Sequence, residues 1–346
     1  MQKAGLFQSI HDKAARKKIP ISCHFDLTHH CNLKCIHCYV VHDDRPELST
    51  SEIKSILEQI AEEGTLYLTF SGGEILSRKD FFEIAAHARK LHFVIRLITN
   101  ATLLDAEAAA RIAALHINQV NISIYGSTSE IHDRITTVEG SFLKSLKAIE
   151  LLVKQGVSVR IGCVLMKQNI NDYRNIFAMA EKMGVLFQAD HRLTPKNNGD
   201  ISPMLYRISD DDIEKVFSDP SFHQPPDVHE QIKYDSAFSE IPCGASHMTF
   251  SISPYGDIYP CVQLPINCGN LKEQSFHDIW YHSQEMIRIR SFRVPDIPEC
   301  AACSVRKFCT YCIGLARIEA GDISTPSKRF CTEAGILSKL REGKQQ

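Results

Sequence analysis

Residues 21–39 read Ile21-Ser22-Cys23-His24-Phe25-Asp26-Leu27-Thr28-His29-His30-Cys31-Asn32-Leu33-Lys34-Cys35-Ile36-His37-Cys38-Tyr39. The opening apolar run has the composition of a strand, and the loop after it carries Cys31, Cys35 and Cys38 at spacings of four and three. Soft thiolates in one loop can fold around an iron-sulfur cluster or a zinc ion. Closed structural sites take four protein ligands, so a set of three suggests a metal with one position open for chemistry. A zinc knuckle completed by His29 or His30 fits the same thiolates.

Outward from this loop the chain alternates. Ser49-Thr50-Ser51-Glu52 is a capping box, and Ile53, Ile56, Leu57 and Ile60 follow at helical spacing until Gly64. Strands are expected over 65–70, 93–98, 119–125, 157–166 and 185–190, with helices over 78–90, 103–115, 141–155 and 171–183 between them. Counting the strand before the cysteines, six strands alternate with helices. That order predicts right-handed crossovers and a parallel sheet with ligands beyond the carboxyl ends of its strands. The pattern by itself permits either a barrel or a doubly wound sheet.

Residues 1–20 read as a polar, basic arm and 21–194 as the alternating domain. Residues 195–242, with Asn197, Asn198, Gly199 and Asp200 followed by Pro220, Pro225 and Pro226, read as a linker with one short helix or more. Residues 243–335 form a cysteine-rich domain. Within it, 250–253 and 258–261 flank the turn Pro254-Tyr255-Gly256-Asp257 and predict a hairpin that delivers Cys261 beside Cys243. The run Cys300, Cys303, Cys309, Cys312 is too dense for an ordinary core, and Cys268 and Cys331 stand apart from it. Cys23 and Cys163, inside apolar strands, read as buried core.

The net charge of -2 over 346 residues makes no electrostatic case for nucleic acid or a membrane surface. No apolar run has the length of a membrane helix, and the polar start lacks the core of a signal peptide, so a cytoplasmic protein is expected. Thirteen cysteines in such a compartment point to metal or redox chemistry rather than disulfides.

The cysteine loop just past the first strand resembles the signature of the radical S-adenosylmethionine (SAM) enzymes. The resemblance implies a six-stranded partial (β/α)6, TIM-like barrel and a 4Fe-4S cluster on Cys31, Cys35 and Cys38. The amino and carboxylate groups of SAM would chelate the fourth iron, and reductive cleavage would give a 5'-deoxyadenosyl radical. Ser71-Gly72-Gly73-Glu74 resembles the family motif that holds the SAM amino group, and Asn100 and Ser123 occupy strand ends that resemble SAM-contacting positions. A Gly-Gly turn or a polar strand cap accounts for the same residues without any ligand. Many relatives place a SAM-binding arginine where Thr136 stands, which leaves Arg134 and Arg160 as alternatives.

The C-terminal cysteines resemble the SPASM extension of these enzymes, although only Thr310 and Tyr311 separate Cys309 from Cys312 where the family usually has three residues. The resemblance implies two auxiliary iron-sulfur clusters. One would use Cys300, Cys303, Cys309 and Cys331; the other Cys243, Cys261 and Cys312, with Cys268 the candidate fourth ligand or a hydrogen donor. Two zinc sites would satisfy the same thiolates.

Many relatives with this architecture modify peptides or proteins, so the expected activity is hydrogen abstraction from a peptide or protein substrate, leading to cross-linking, oxidation or epimerisation. Sulfatase-activating relatives have an aspartate where Val262 stands, which argues against that activity. A small molecule such as a haem precursor is the alternative substrate, and a non-catalytic electron-transfer or zinc-binding protein is the reading from another class. No leader-binding domain is expected at the N-terminus, so a separate leader-binding protein is a candidate partner, along with a reductant such as flavodoxin or ferredoxin.

Overall fold

The structure is a computed structural model that describes residues 13–41, 43–219 and 241–342. The first twelve residues of the expected arm and residues 220–240 of the expected linker lie outside the described residues. Six parallel strands form the main sheet: β1 (Ser22–Thr28), β2 (Tyr67–Gly72), β3 (Val94–Thr99), β4 (Gln119–Ser123), β5 (Val159–Val164) and β6 (Leu186–Asp190). They lie in sequence order. A doubly wound sheet reverses its order at a switch point; this one never does, so the singly wound alternative is the one adopted.

Each crossover carries helices: α1 (Thr50–Glu62), α2 (Phe81–Lys90), α3 (Ala106–Ala114), α4 (Ser129–Thr136) and α5 (Ser141–Lys154), then α6 (Tyr173–Lys182) and, after β6, α7 (Asp210–Ser218). The capping box at Ser49 forms in both directions, a device worth about 1 kcal/mol. Ile53, Ile56, Leu57 and Ile60 all face the core. On β1, Cys23, Phe25 and Leu27 are fully buried, while His24, Asp26 and Thr28 take the opposite face by strand alternation. Arg78 clamps the top of this layer, its guanidinium donating to the carbonyls of Leu27 and Leu48 at 2.9 and 3.2 Å. Helix α4 has no counterpart in the sequence reading. It is eight residues long, and its buried side are His132, Ile135 and Thr136, too few apolar residues to show a period.

The sheet does not stop at β1. β7 (Thr249–Ile252) pairs parallel to it, Ser22 opposite Thr249 and Phe25 opposite Ile252. β8 (Asp257–Tyr259) and β9 (Gly269–Asn270) then add antiparallel. The expected hairpin is therefore present, and it also continues the parallel sheet across the predicted domain boundary, covering an edge of β1 that would otherwise be exposed. Helices α8 (Phe276–His282), α9 (Gln284–Ser291), α10 (Pro298–Ala301), α11 (Ile313–Ala320) and α12 (Lys328–Glu342) complete the chain. Phe276 and Trp280 of α8 pack on Phe250 of β7 with ring centroids 4.7 and 5.6 Å away. Among the described residues no helix is long and apolar enough to cross a membrane.

Candidate active site

The cysteine loop is held from two sides. Lys34 and Ile36 donate their backbone N–H groups to the carbonyls of Thr136 and Ile135 at the end of α4, at 3.1 and 3.0 Å. Asn100, just past β3, donates through Nδ2 to Asn32 Oδ1 at 3.1 Å and reaches Cys31 Sγ at 3.7 Å. Cys31, Cys35 and Cys38 thereby line one cavity of about 250 Å3, which also meets the ends of β2, β3 and β4 at Gly72, Gly73, Asn100 and Ser123.

Burial and the neighbouring thiols Cys38 and Cys31 push the Cys35 thiol up to about 12. Three thiols set side by side, Cys35 and Cys38 half-buried, resist ionisation together. A cationic cluster would reverse that penalty, because metal coordination deprotonates a thiol outright, so the donor set suits the iron-sulfur group its sequence implies. Among the described residues no three His, Cys, Asp or Glu groups converge on a point as a single ion would require. A cluster whose irons take separate thiolates makes no such demand.

Glycine at 72 and 73 answers a packing constraint. A Cβ on either would lie 2.2 Å from a backbone oxygen, of Thr28 and of His30 respectively, and Gly72 has a φ of +124°. Backbone contact there is close: Gly73 N–H donates to Thr28 O at 2.7 Å and Glu74 N–H to His30 O at 2.8 Å. The glycines bring β2 against the first turn of the cysteine loop.

Glu74 does not line the cavity. It is fully buried and accepts from Thr99 Oγ1 at 2.7 and 2.8 Å, Asn100 N–H at 2.9 Å and Leu76 N–H at 3.0 Å. Burial raises its pKa in spite of those donors. In this structure the carboxylate organises the loop after β3.

Sequence reasoning singled out no role for four other side chains of the cavity: His37, Tyr39, Tyr125 and Arg192. His37 meets Tyr125 edge to face at 4.6 Å. Burial lowers its pKa to about 4, so its imidazole is neutral near pH 7. The Tyr39 hydroxyl donates to Asp26 at 3.1 Å, and His24 Nε2 lies 3.0 Å from the same carboxylate. His37 and Tyr39 flank the third cysteine, a signal available in the sequence. Arg134 is exposed and Arg160 donates to Gln188 Oε1 at 2.6 Å; neither lines the cavity.

Two further thiol groups stand in the C-terminal part. Cys300, Cys303, Cys309 and Cys331 line a smaller cavity of about 120 Å3. Cys243, Cys261 and Cys312 form the other group: burial, then the charges of Cys312 and Cys261, push Cys243 up to about 12. Cys268 does not join them. Burial raises its thiol to about 12, and the charges acting on it are those of Glu285, Arg288 and Arg290. Pairing of β9 with β8 fixes it, its N–H donating to Ile258 O at 2.8 Å, and its side chain packs in the main core. Cys268 thus packs in the main core, while Cys243 and Cys261 pack against the C-terminal one. Cys268 does not line the central cavity.

Residues 26–180 match the family model of the radical SAM superfamily, and residues 243–304 match that of SPASM, an iron-sulfur cluster-binding domain. Among curated proteins, an AdoMet-dependent heme synthase of Methanosarcina barkeri is 28% identical over 86% of this chain and 92% of its own length. The mycofactocin maturase MftC of Mycobacterium tuberculosis is 29% identical over 78% of this chain and 73% of its own. Among solved structures, Streptococcus suis SuiB bound to precursor peptide SuiA superposes with a TM-score of 0.72 at 19% identity, covering 93% of this chain and 79% of that one. That last likeness speaks for the fold.

Proposed function

From the premise that this chain is a radical SAM enzyme carrying a SPASM domain, we propose that it abstracts hydrogen from a peptide or protein substrate to bring about an oxidation, cross-link or epimerisation. When bound, the 4Fe-4S cluster and SAM supply a 5'-deoxyadenosyl radical by reductive cleavage. Cys31, Cys35 and Cys38 hold that cluster, and the observation that carries the reading is their grouping around a single cavity at the strand ends. Gly72, Gly73, Asn100 and Ser123 bound the space for SAM, and Glu74 braces it from behind through Thr99 and Asn100. Neutral His37 and buried Tyr125 keep water from the reacting side. The two C-terminal thiol groups, Cys300, Cys303, Cys309 and Cys331 with Cys243, Cys261 and Cys312, hold auxiliary clusters able to take up an electron from the substrate.

The name of MftC, a maturase, supports a peptide substrate. Co-expression with each small peptide encoded beside the gene, followed by mass spectrometry, tests it: a loss of hydrogen or a new cross-link that requires Cys35 is expected, and unmodified peptides throughout overturn it. A second reading, a tetrapyrrole substrate, is favoured by the heme synthase, which matches over 92% of its own length. Conversion of a supplied haem precursor under the same conditions would establish that reading instead.

A further inference from the structure

Arg192 is the one side chain with a permanent charge among the described residues lining the central cavity, and no carboxylate lines it. It stands two residues past β6 and is held in place from the C-terminal part of the chain. Its Nη2 donates to Thr310 Oγ1, between Cys309 and Cys312. Its guanidinium carbon sits 5.1 Å from the ring centroid of Phe330, the residue before Cys331. Nη2 also forms an ion pair with the buried Glu333 carboxylate, 3.6 Å from Oε2 and longer than a hydrogen bond. Glu333 is itself shared, with His191 at 3.0 Å and Arg329 at 3.4 Å. The remaining feature is a deficit: the Arg192 Nε hydrogen is buried with no acceptor. An unmet buried donor on a charged group is destabilising, and a carboxylate is the partner that a guanidinium fork fits best.

We infer that Arg192 binds a carboxylate of the substrate, holding it between the cysteine loop and the segment that carries Cys309, Cys312 and Cys331. The inference rests on the proposed reading of the cavity as the radical site. The carboxylate of SAM is the competing partner for Arg192, and the SAM affinity of R192M tells the two apart. The substrate carboxylate can come from an acidic side chain or chain end of a peptide, or from a propionate of a tetrapyrrole, and the chemistry at Arg192 is the same.

The test uses the anaerobically reconstituted holoenzyme, wild type, R192K and R192M. Two probe pairs separate the sources: a peptide encoded beside the gene with its carboxylates free or amidated, and Fe-coproporphyrin III against its tetramethyl ester. The expected result is that wild type binds the acid form of one pair about tenfold or more tightly than its neutral form. R192M loses that preference and R192K recovers part of it, while iron content and SAM affinity stay within about twofold. A preference that survives in R192M, equal binding of charged and neutral forms, or no binding of either pair overturns the inference. So does an R192M whose SAM affinity falls while the preference remains, because Arg192 would then serve SAM. If wild type forms no 5'-deoxyadenosine, the proposed function itself fails, an outcome distinct from the others.

Discussion

Glu74 is a carboxylate whose nearest partners are all protein donors. Glu74→Gln would turn an amide N–H toward the N–H groups of Asn100 or Leu76, which leaves buried donors unmet at about 1–3 kcal/mol. A melting temperature several degrees lower is expected; weaker SAM binding with undiminished thermal stability would show instead that Glu74 meets the ligand. Cys268 gives a second residue-scale expectation. Cys268→Ala should keep full iron and turnover, whereas Cys243→Ala should lose the iron of one auxiliary cluster; equal iron loss in both would restore Cys268 to the ligand set. Individual cysteines of the first loop are legible in sequence because covalent spacing in a short loop nearly dictates their meeting. Cys268 and Arg192 are not: Cys268 is placed by its bond to Ile258 and by the main core it packs in, and Arg192 by Thr310 and Glu333, far along the chain.

At the scale of elements, the turn between β7 and β8 meets the loop that follows the cysteines. Arg45 donates to Asp257 at 2.9 Å and lies 4.7 Å over the Tyr255 ring, and Leu48 N–H donates to Pro254 O at 2.7 Å. Burial alone would raise the Asp257 carboxyl, but Arg45, Asn270 and Asn267 hold it below its ordinary value of 3.8. A depressed carboxylate stabilises the fold fully above that ordinary value, and its contribution disappears as pH falls through the lowered one. Because the Arg45 side chain is 49% exposed, screening reduces the pair itself, and Asp257→Asn should cost about 1–2 kcal/mol at neutral pH. Urea midpoints followed from neutral to acid pH should converge for the two proteins below about pH 4; a constant difference would contradict the assignment. Most elements around this turn are readable from pattern, since capping at Ser49 and apolar periodicity are local. Helix α4 is not, because its short buried side mixes His132 and Thr136 with Ile135.

For the molecule as a whole, strand order follows chain order from β1 to β6, and the C-terminal hairpin extends the same sheet. Alternation in the sequence foretells the parallel layer because each crossover has only one favourable hand. It does not foretell that β7, four residues long, pairs with β1, since a strand that short carries no mark of its partner. The consequence is one continuous scaffold on which the cysteine loop, Arg192 and the auxiliary thiols are set relative to one another. The central claim is that Cys31, Cys35 and Cys38 hold the metal that makes SAM reactive. It is tested most directly by quantifying 5'-deoxyadenosine from SAM under a strong reductant for wild type and Cys35→Ala, with iron counted in both. The account predicts that the product is abolished in the variant and that only the iron of one cluster is lost; undiminished 5'-deoxyadenosine from Cys35→Ala would contradict it.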